Sequence, residues 1–299
     1  AGIDIEAWNG LLDVTFDYFV RNRSGLLATQ LLTLPDVVGA SLPQQNLNGD
    51  RTQGFDFEVT HRNHIGKFAY NVKATFGMTH TMNTTVVQAK AGNSYHNWLN
   101  GTSNRNNNIY FGYGSDGQYQ NYKSIENSDQ FAGRTVLVGD YKYQDWNGDG
   151  QVDASDSHPI ATTGLPLITY GFNLGGAYKN FDFNFLFQGA AMVNASYLEQ
   201  LNTPLWAGGN ALSQFMDRWH PADPTADPYS PSTVWVPGYY AYTGTVPYTN
   251  TLENLHSAAY LRLKSAEIGY SLPQKWLSRV GIRGVRVFAN AYNLLTFTT

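Results

Sequence analysis

Apolar and polar residues alternate with a period of two along eight segments of this 299-residue chain, near residues 2–8, 11–20, 53–62, 67–79, 166–179, 181–192, 258–270 and 283–297. The clearest is Phe181-Asp-Phe-Asn-Phe-Leu-Phe187, in which Phe181, Phe183, Phe185 and Phe187 alternate with Asp182, Asn184 and, two residues on, Gln188. Successive side chains on a strand point to opposite faces, so this spacing predicts a strand with four phenylalanines on one surface. The preceding segment sets Ile168, Tyr170, Phe172, Leu174 and Tyr178 against Thr169, Asn173 and Gly175, and Lys179–Asn180 closes the two into a hairpin. Leu12, Val14, Phe16, Tyr18 and Val20 oppose Asp13, Thr15 and Asp17 after an Asn9–Gly10 pair suited to a type I′ turn. Phe55, Phe57 and Val59 oppose Asp56, Glu58 and Thr60, and Phe68 to Met78 repeats the design beyond Gly66. The last pair is less regular, because Arg262, Lys264, Ala266 and Ile268 share one predicted face.

The connections alternate as well. Asn9–Gly10, His64–Gly66, Lys179–Asn180 and a Ser271–Arg283 link are short, whereas 21–52, 80–165 and 193–257 are long and rich in Gly, Asn, Ser, Tyr and Trp. An antiparallel soluble sandwich also alternates apolar and polar residues. Its turns need not sort by side, however, and loops of about 65 to 85 residues are unusual in compact soluble domains. Transmembrane barrels combine minimal turns at one end with long loops at the other, and strands of about 10 residues cross the bilayer when tilted. The pattern predicts an all-β, antiparallel transmembrane β-barrel fragment with long extracellular loops.

Composition narrows the alternatives. The chain has no cysteine, which removes disulfides, thiol nucleophiles and Cys-based metal sites. A net charge of −4 and a pI near 5.9 argue against a nucleic-acid surface. Mean hydropathy is −0.35, which a barrel tolerates because only alternate positions are apolar. Seven histidines are scattered without HExxH, GxSxG or a Gly-rich phosphate loop, so no catalytic residue is nominated and an enzyme is not expected.

One loop carries candidate chemistry. Asp145, Asn147, Asp149, Gln151, Asp153 and Asp156 stand at positions 1, 3, 5, 7, 9 and 12 of an EF-hand-like spacing, with Gly150 at position 6 and Val152 at 8. Calcium takes six to eight hard oxygens, and Gln151 would offer its backbone carbonyl. Aspartate at position 12 reaches less far than glutamate, which weakens the site or opens it to magnesium. No amphipathic helix flanks the loop, so the spacing predicts a structural calcium that stiffens a surface loop. The alternative is a solvated Asp/Asn/Gly turn without an ion.

Asp17-Tyr-Phe-Val-Arg21, Gly139-Asp-Tyr-Lys-Tyr-Gln-Asp-Trp-Asn-Gly-Asp-Gly150, Tyr170-Gly-Phe-Asn-Leu174 and Arg218-Trp-His-Pro221 resemble segments of SusC/RagA-like TonB-dependent outer-membrane transporters. Most specific are Tyr260-Leu-Arg-Leu-Lys264, Ile268-Gly-Tyr-Ser-Leu-Pro273, Val285-Arg-Val-Phe288 and Asn293-Leu-Leu-Thr-Phe297. The resemblance covers nearly the whole chain and implies that residues 1–299 are the C-terminal part of a barrel of about 22 strands with a plugged lumen, set in outer-membrane lipid. It implies a plug and TonB-contacting region upstream, a final strand beyond Thr299, a SusD-like surface lipoprotein as lid, and TonB-driven import of a large nutrient, oligosaccharide or peptide. Trp98, Trp146, Trp206, Trp219 and Trp235 fall in the expected outer loops. Trp98, Trp206, Trp219 and Trp235 are candidates for substrate or lid contact, against the simpler role of packing the loops. The alternative function is a small closed barrel acting as a binding or adhesion module.

Overall fold

The computed structural model describes residues 1–31, 39, 42–129, 135–197, 199–243, 251–278 and 281–298. All eight period-two segments are strands: β1 (Gly2–Ala7), β2 (Leu12–Ala28), β3 (Gln45–Ile65), β4 (Phe68–Thr85), β5 (Ile168–Tyr178), β6 (Phe181–Ala191), β7 (Tyr260–Ser271) and β8 (Arg286–Thr298). They form one antiparallel sheet in chain order, each strand bonded to its sequence neighbour. β1 and β8 do not pair with each other, so this wall is open, as expected of a barrel fragment and unlike the alternative of a small closed barrel. β2 and β3 run 17 and 21 residues, well past the alternating segments. Their added stretches, 21–28 and 45–52, are largely polar on both faces, so they show no period to read.

Cross-strand register sorts the side chains into transverse rows. One row joins Ile5, Val14, Val59, Ala74, Phe172, Phe187, Leu263 and Leu295 across all eight strands. The next residue along gives Asp4, Thr15, Glu58, Thr75, Gly171, Gln188, Arg262 and Thr296. Much of this apolar row lacks cover, with Ile5, Phe172 and Leu295 at 51%, 42% and 51% exposure, while Leu263 beside the bulge is buried. The polar face is the concave one, holding a cavity of about 550 Å³ lined by Asp17, Asp56, Glu58, Gln188 and Lys264 among others. An uncovered apolar outside around a polar hollow inverts a soluble sheet and matches a wall whose outer solvent is lipid. On β4 the apolar positions run from Phe68 to Met78. That is about 33 Å at roughly 3.3 Å per residue, or about 23 Å of height at a ~45° tilt, close to the ~25 Å apolar band of a membrane barrel.

The irregular seventh strand has a local cause. A β-bulge leaves Lys264 unpaired between Leu263 and Ser265 on β7, and the face assignment switches there. Arg262 lies in a polar row, while Ala266 and Ile268 lie in apolar rows. Lys264 itself reaches the hollow, donating to Gln188 Oε1 at 2.7 Å.

The short turns behave as the spacing predicts. Asn9 and Gly10 both adopt positive φ, and Leu11 N donates to Trp8 O at 3.4 Å. Aromatic rings gather at this end: Phe68, Tyr178, Phe181 and Tyr270 share one row, with Trp8 and Trp276 exposed beside the turns. Such girdles mark the boundary between lipid and water. At the other end, loops 80–165 and 193–257 interlace. Tyr113 bridges Thr251, and Gln118 Nε2 donates to Tyr239 O at 3.1 Å.

Candidate functional site in the loop assembly

Most of the well-buried apolar side chains among the described residues lie in the loops rather than in the wall. Tyr119, Ile125, Val138 and Trp219 form one core, with Val136 and Trp235 packed against it. Trp219 is only 3% exposed, and its indole Nε1 donates to Gln118 Oε1 at 3.1 Å. Gly139, at φ +87°, lies against the Trp219 ring so closely that a Cβ there would stand 2.3 Å from it. Trp219 therefore packs the loops and presents no ring to a solute. Trp235 lies in the ladder that joins His220–Pro221 to Trp235–Val236 and meets Tyr242 edge-on at 5.4 Å.

The other tryptophans are more open. Trp98 sits on the short helix Ser94–Asn100, capped by Asn93, with 43% of its surface exposed. Arg105 stacks beside it, with Cζ 5.6 Å from the Trp98 ring and 4.3 Å from the Phe111 ring. Trp206 is 47% exposed in a kinked turn between left-handed Leu205 and Ala207. Trp146 lies flat on His158, with centroids 3.9 Å apart and planes within 8°.

The Asp-rich loop is held by its own amides. Asp145 accepts from Gly148 N at 2.7 Å and Gly150 N at 2.8 Å, and these bonds hold its carboxyl below the usual range. Asn147 Oδ1 accepts from Asp149 N at 2.8 Å, and Asp149 Oδ1 from Gln151 N at 3.0 Å. Asp153 caps a helical turn by accepting from Ser155 N at 2.7 Å. Asp156 is fully buried and accepts from Trp146 N, Asn147 N and Asp153 N at 2.8, 3.1 and 2.7 Å. The six nominated residues share one loop, but among the described residues no three His, Cys, Asp or Glu side chains converge as a metal ion requires.

A second feature was not marked by sequence spacing. A cavity of about 640 Å³ opens between the two loops, lined by Tyr141, Tyr197, Tyr239, Tyr240, Glu253 and His256 with smaller residues between. The lining comes from segments more than 100 residues apart, so no local motif announces it. Tyr239–Tyr240, beside Gly238, is the one local signal. Tyr197 stacks on His256 at 3.8 Å. Both Glu253 carboxylate oxygens are shut off from solvent, with no cation beside them and only the Ser115 and Thr251 hydroxyls and the residue's own amide near enough to act on them. Burial pushes this carboxyl up, and the nearby Ser115 hydroxyl counters it only in part. Burial also raises the Tyr141 phenol and lowers the His256 imidazole.

No family model matches the chain. TonB-dependent receptor P3 of Formosa agariphila is 26% identical over 310 residues, covering 99% of this chain and 29% of its own length. TonB-dependent receptor P26 of the same organism is 24% identical over 311 residues, again 99% and 29%. The chain thus spans about three tenths of the curated relatives it matches. Among solved structures, the RagAB peptide transporter shares the fold with a TM-score of 0.70 at 20% identity, covering 99% of this chain and 31% of that one. The RagAB peptide importer in its open-open state gives 0.69 at 20% identity, over 100% and 30%. These relatives are receptors and transporters, not enzymes, consistent with the lack of any catalytic motif. Over nearly its whole length the chain is thus similar to part of these TonB-dependent receptors, and its open antiparallel sheet has the fold of part of the RagAB structures.

Proposed function

We propose that this chain forms one arc of the wall and outer gate of a TonB-dependent importer in a bacterial outer membrane. It works with a SusD-like surface lipoprotein, and its cargo is a large nutrient, an oligosaccharide or a peptide. The observation that carries this reading is the row structure: an uncovered apolar outside, a polar concave inside and an interlaced loop unit at one end. Unpaired strand edges are costly in lipid, so further strands extend the wall on both sides of this arc. A wide barrel must be plugged to avoid leakage, which is why import through it needs an energy source. We also propose calcium, or magnesium in its place, as a second brace for residues 145–156. Four carboxylates stand in those twelve positions without a lysine or arginine among them.

Deleting the gene in its native host tests the import reading. Growth on oligosaccharides or on peptides as sole nutrient should fail for one class, and a TonB deletion should reproduce the defect. Uptake that persists without TonB would contradict it.

A further inference from the structure

The loop cavity has a composition that selects for charge. It is lined by four tyrosines and one carboxyl without a charged partner and, among the described residues, has no lysine or arginine in its lining. His256 does not supply a positive charge, because it is stacked on Tyr197 and held toward its neutral form by burial. Desolvated carboxylates are stable only when paired or hydrogen-bonded, and the described protein offers this one the Ser115 and Thr251 hydroxyls but no positive charge. Tyrosine faces attract cations, most strongly where water is excluded. A neutral sugar would find stacking faces here but would leave the charge uncompensated. An anionic solute would be repelled.

We propose that this cavity binds a protonated amine or guanidinium of an incoming peptide, with Glu253 as its counter-charge and Tyr141, Tyr197, Tyr239 and Tyr240 as the surrounding aromatic wall. The volume of about 640 Å³ admits one long basic side chain together with adjoining backbone. Gln118 and Asn202, at the same lining, offer amide groups to that backbone. The inference rests on the import reading for its biological meaning and names the cargo class as basic peptide. Binding itself does not depend on transport.

The test uses the full-length protein purified in detergent and isothermal titration with four probes. These are N-acetyl-Gly-Arg-Gly-amide, its Gln and Glu counterparts, and a neutral hexasaccharide. The Arg peptide should bind at least tenfold more tightly than the Gln peptide, and the Glu peptide should bind most weakly. Glu253→Gln should bring the Arg and Gln peptides within about twofold of each other. Tyr239→Ala, at an exposed rim position, should weaken the Arg peptide without abolishing the preference. Equal binding of Arg and Gln peptides by the parent protein would overturn the proposal. So would an Arg preference that survives Glu253→Gln, or hexasaccharide binding that Glu253→Gln weakens as much as Arg binding. If Glu253→Gln does not fold, the Tyr239→Ala protein and the four-probe ranking of the parent decide. TonB-dependent uptake without an Arg preference would remove this inference and leave import standing. An Arg preference without TonB-dependent uptake would do the reverse.

Discussion

Arg286 reaches across an entire strand to bind Asp182, its Nε 3.1 Å from Oδ1, and the same guanidinium holds Glu267 at 2.7 Å. Asp182 lies on β6 and Arg286 on β8, so the bridge passes over β7. It does so at Gly269, where a Cβ would stand 2.3 Å from the guanidinium. Three strands of the polar face are thereby tied together near the short-turn end.

Gly269→Ala should push Arg286 off this path and separate it from Asp182. The expected loss of melting temperature is small, on the scale of an exposed ion pair rather than a core cavity. A double-mutant cycle of Asp182→Asn with Arg286→Gln checks it. The coupling should be present in the parent and absent in the Gly269→Ala background.

Trp219 and Trp98 should respond differently to truncation. Trp219→Ala opens a cavity in the loop core and should cost that unit about 3–5 kcal/mol, exposing loops 80–165 and 193–257 to protease. Trp98→Ala removes a half-exposed ring and should leave protease resistance near the parent level. Limited proteolysis of the two variants measures the contrast.

The Asp-rich loop separates amide bracing from ion bracing. Asp156→Ala strands three backbone amides in a buried position and should destabilise the loop by about 1–3 kcal/mol whether or not calcium is present. Asp149→Ala loses the Gln151 amide bond in either condition and should cost additional stability when calcium is present. Thermal melts in calcium and in chelator measure both. A parent protein with identical melts in the two conditions would remove the ion and leave the amide cage as the whole account.

Glu253 gives a pH signature without ligand. Its folded-state pKa lies above its unfolded value, so the penalty for the charged form is absent at acid pH and grows as pH rises past the ordinary carboxylate range. Glu253→Gln should therefore stabilise the loop unit at neutral pH, by about 1–3 kcal/mol. The gain should vanish as pH falls below that range. Melting curves of parent and variant across pH provide the check.

Much of the wall was legible because lipid on one side and water on the other impose a strict period of two. That period carried Phe181 to Phe187 and Phe68 to Met78 directly into strands. It failed where the physical contrast ends, at Gln45–Thr52, and where the Lys264 bulge shifts the parity. The loop assembly was less readable, since its contacts join residues far apart in sequence. Trp219 looked like its neighbouring loop tryptophans, and only the packing of Tyr119, Ile125 and Val138 around it reveals a core. Glu253 lay in a polar stretch with no motif, and its significance comes from the tyrosines folded over it.

On the barrel reading, adjacent residues of β4 face lipid and lumen in turn. Because the chain contributes no cysteine, single cysteines at Ala74 and Thr75 in the membrane-embedded full-length protein can be probed one at a time. Ala74 shares its row with Val59 and Phe172, and Thr75 shares its row with Glu58 and Gly171. A fluorophore attached at each site and challenged with brominated lipid should be quenched at position 74 and spared at position 75. Equal quenching at both, or the reverse order, would contradict a lipid-facing wall.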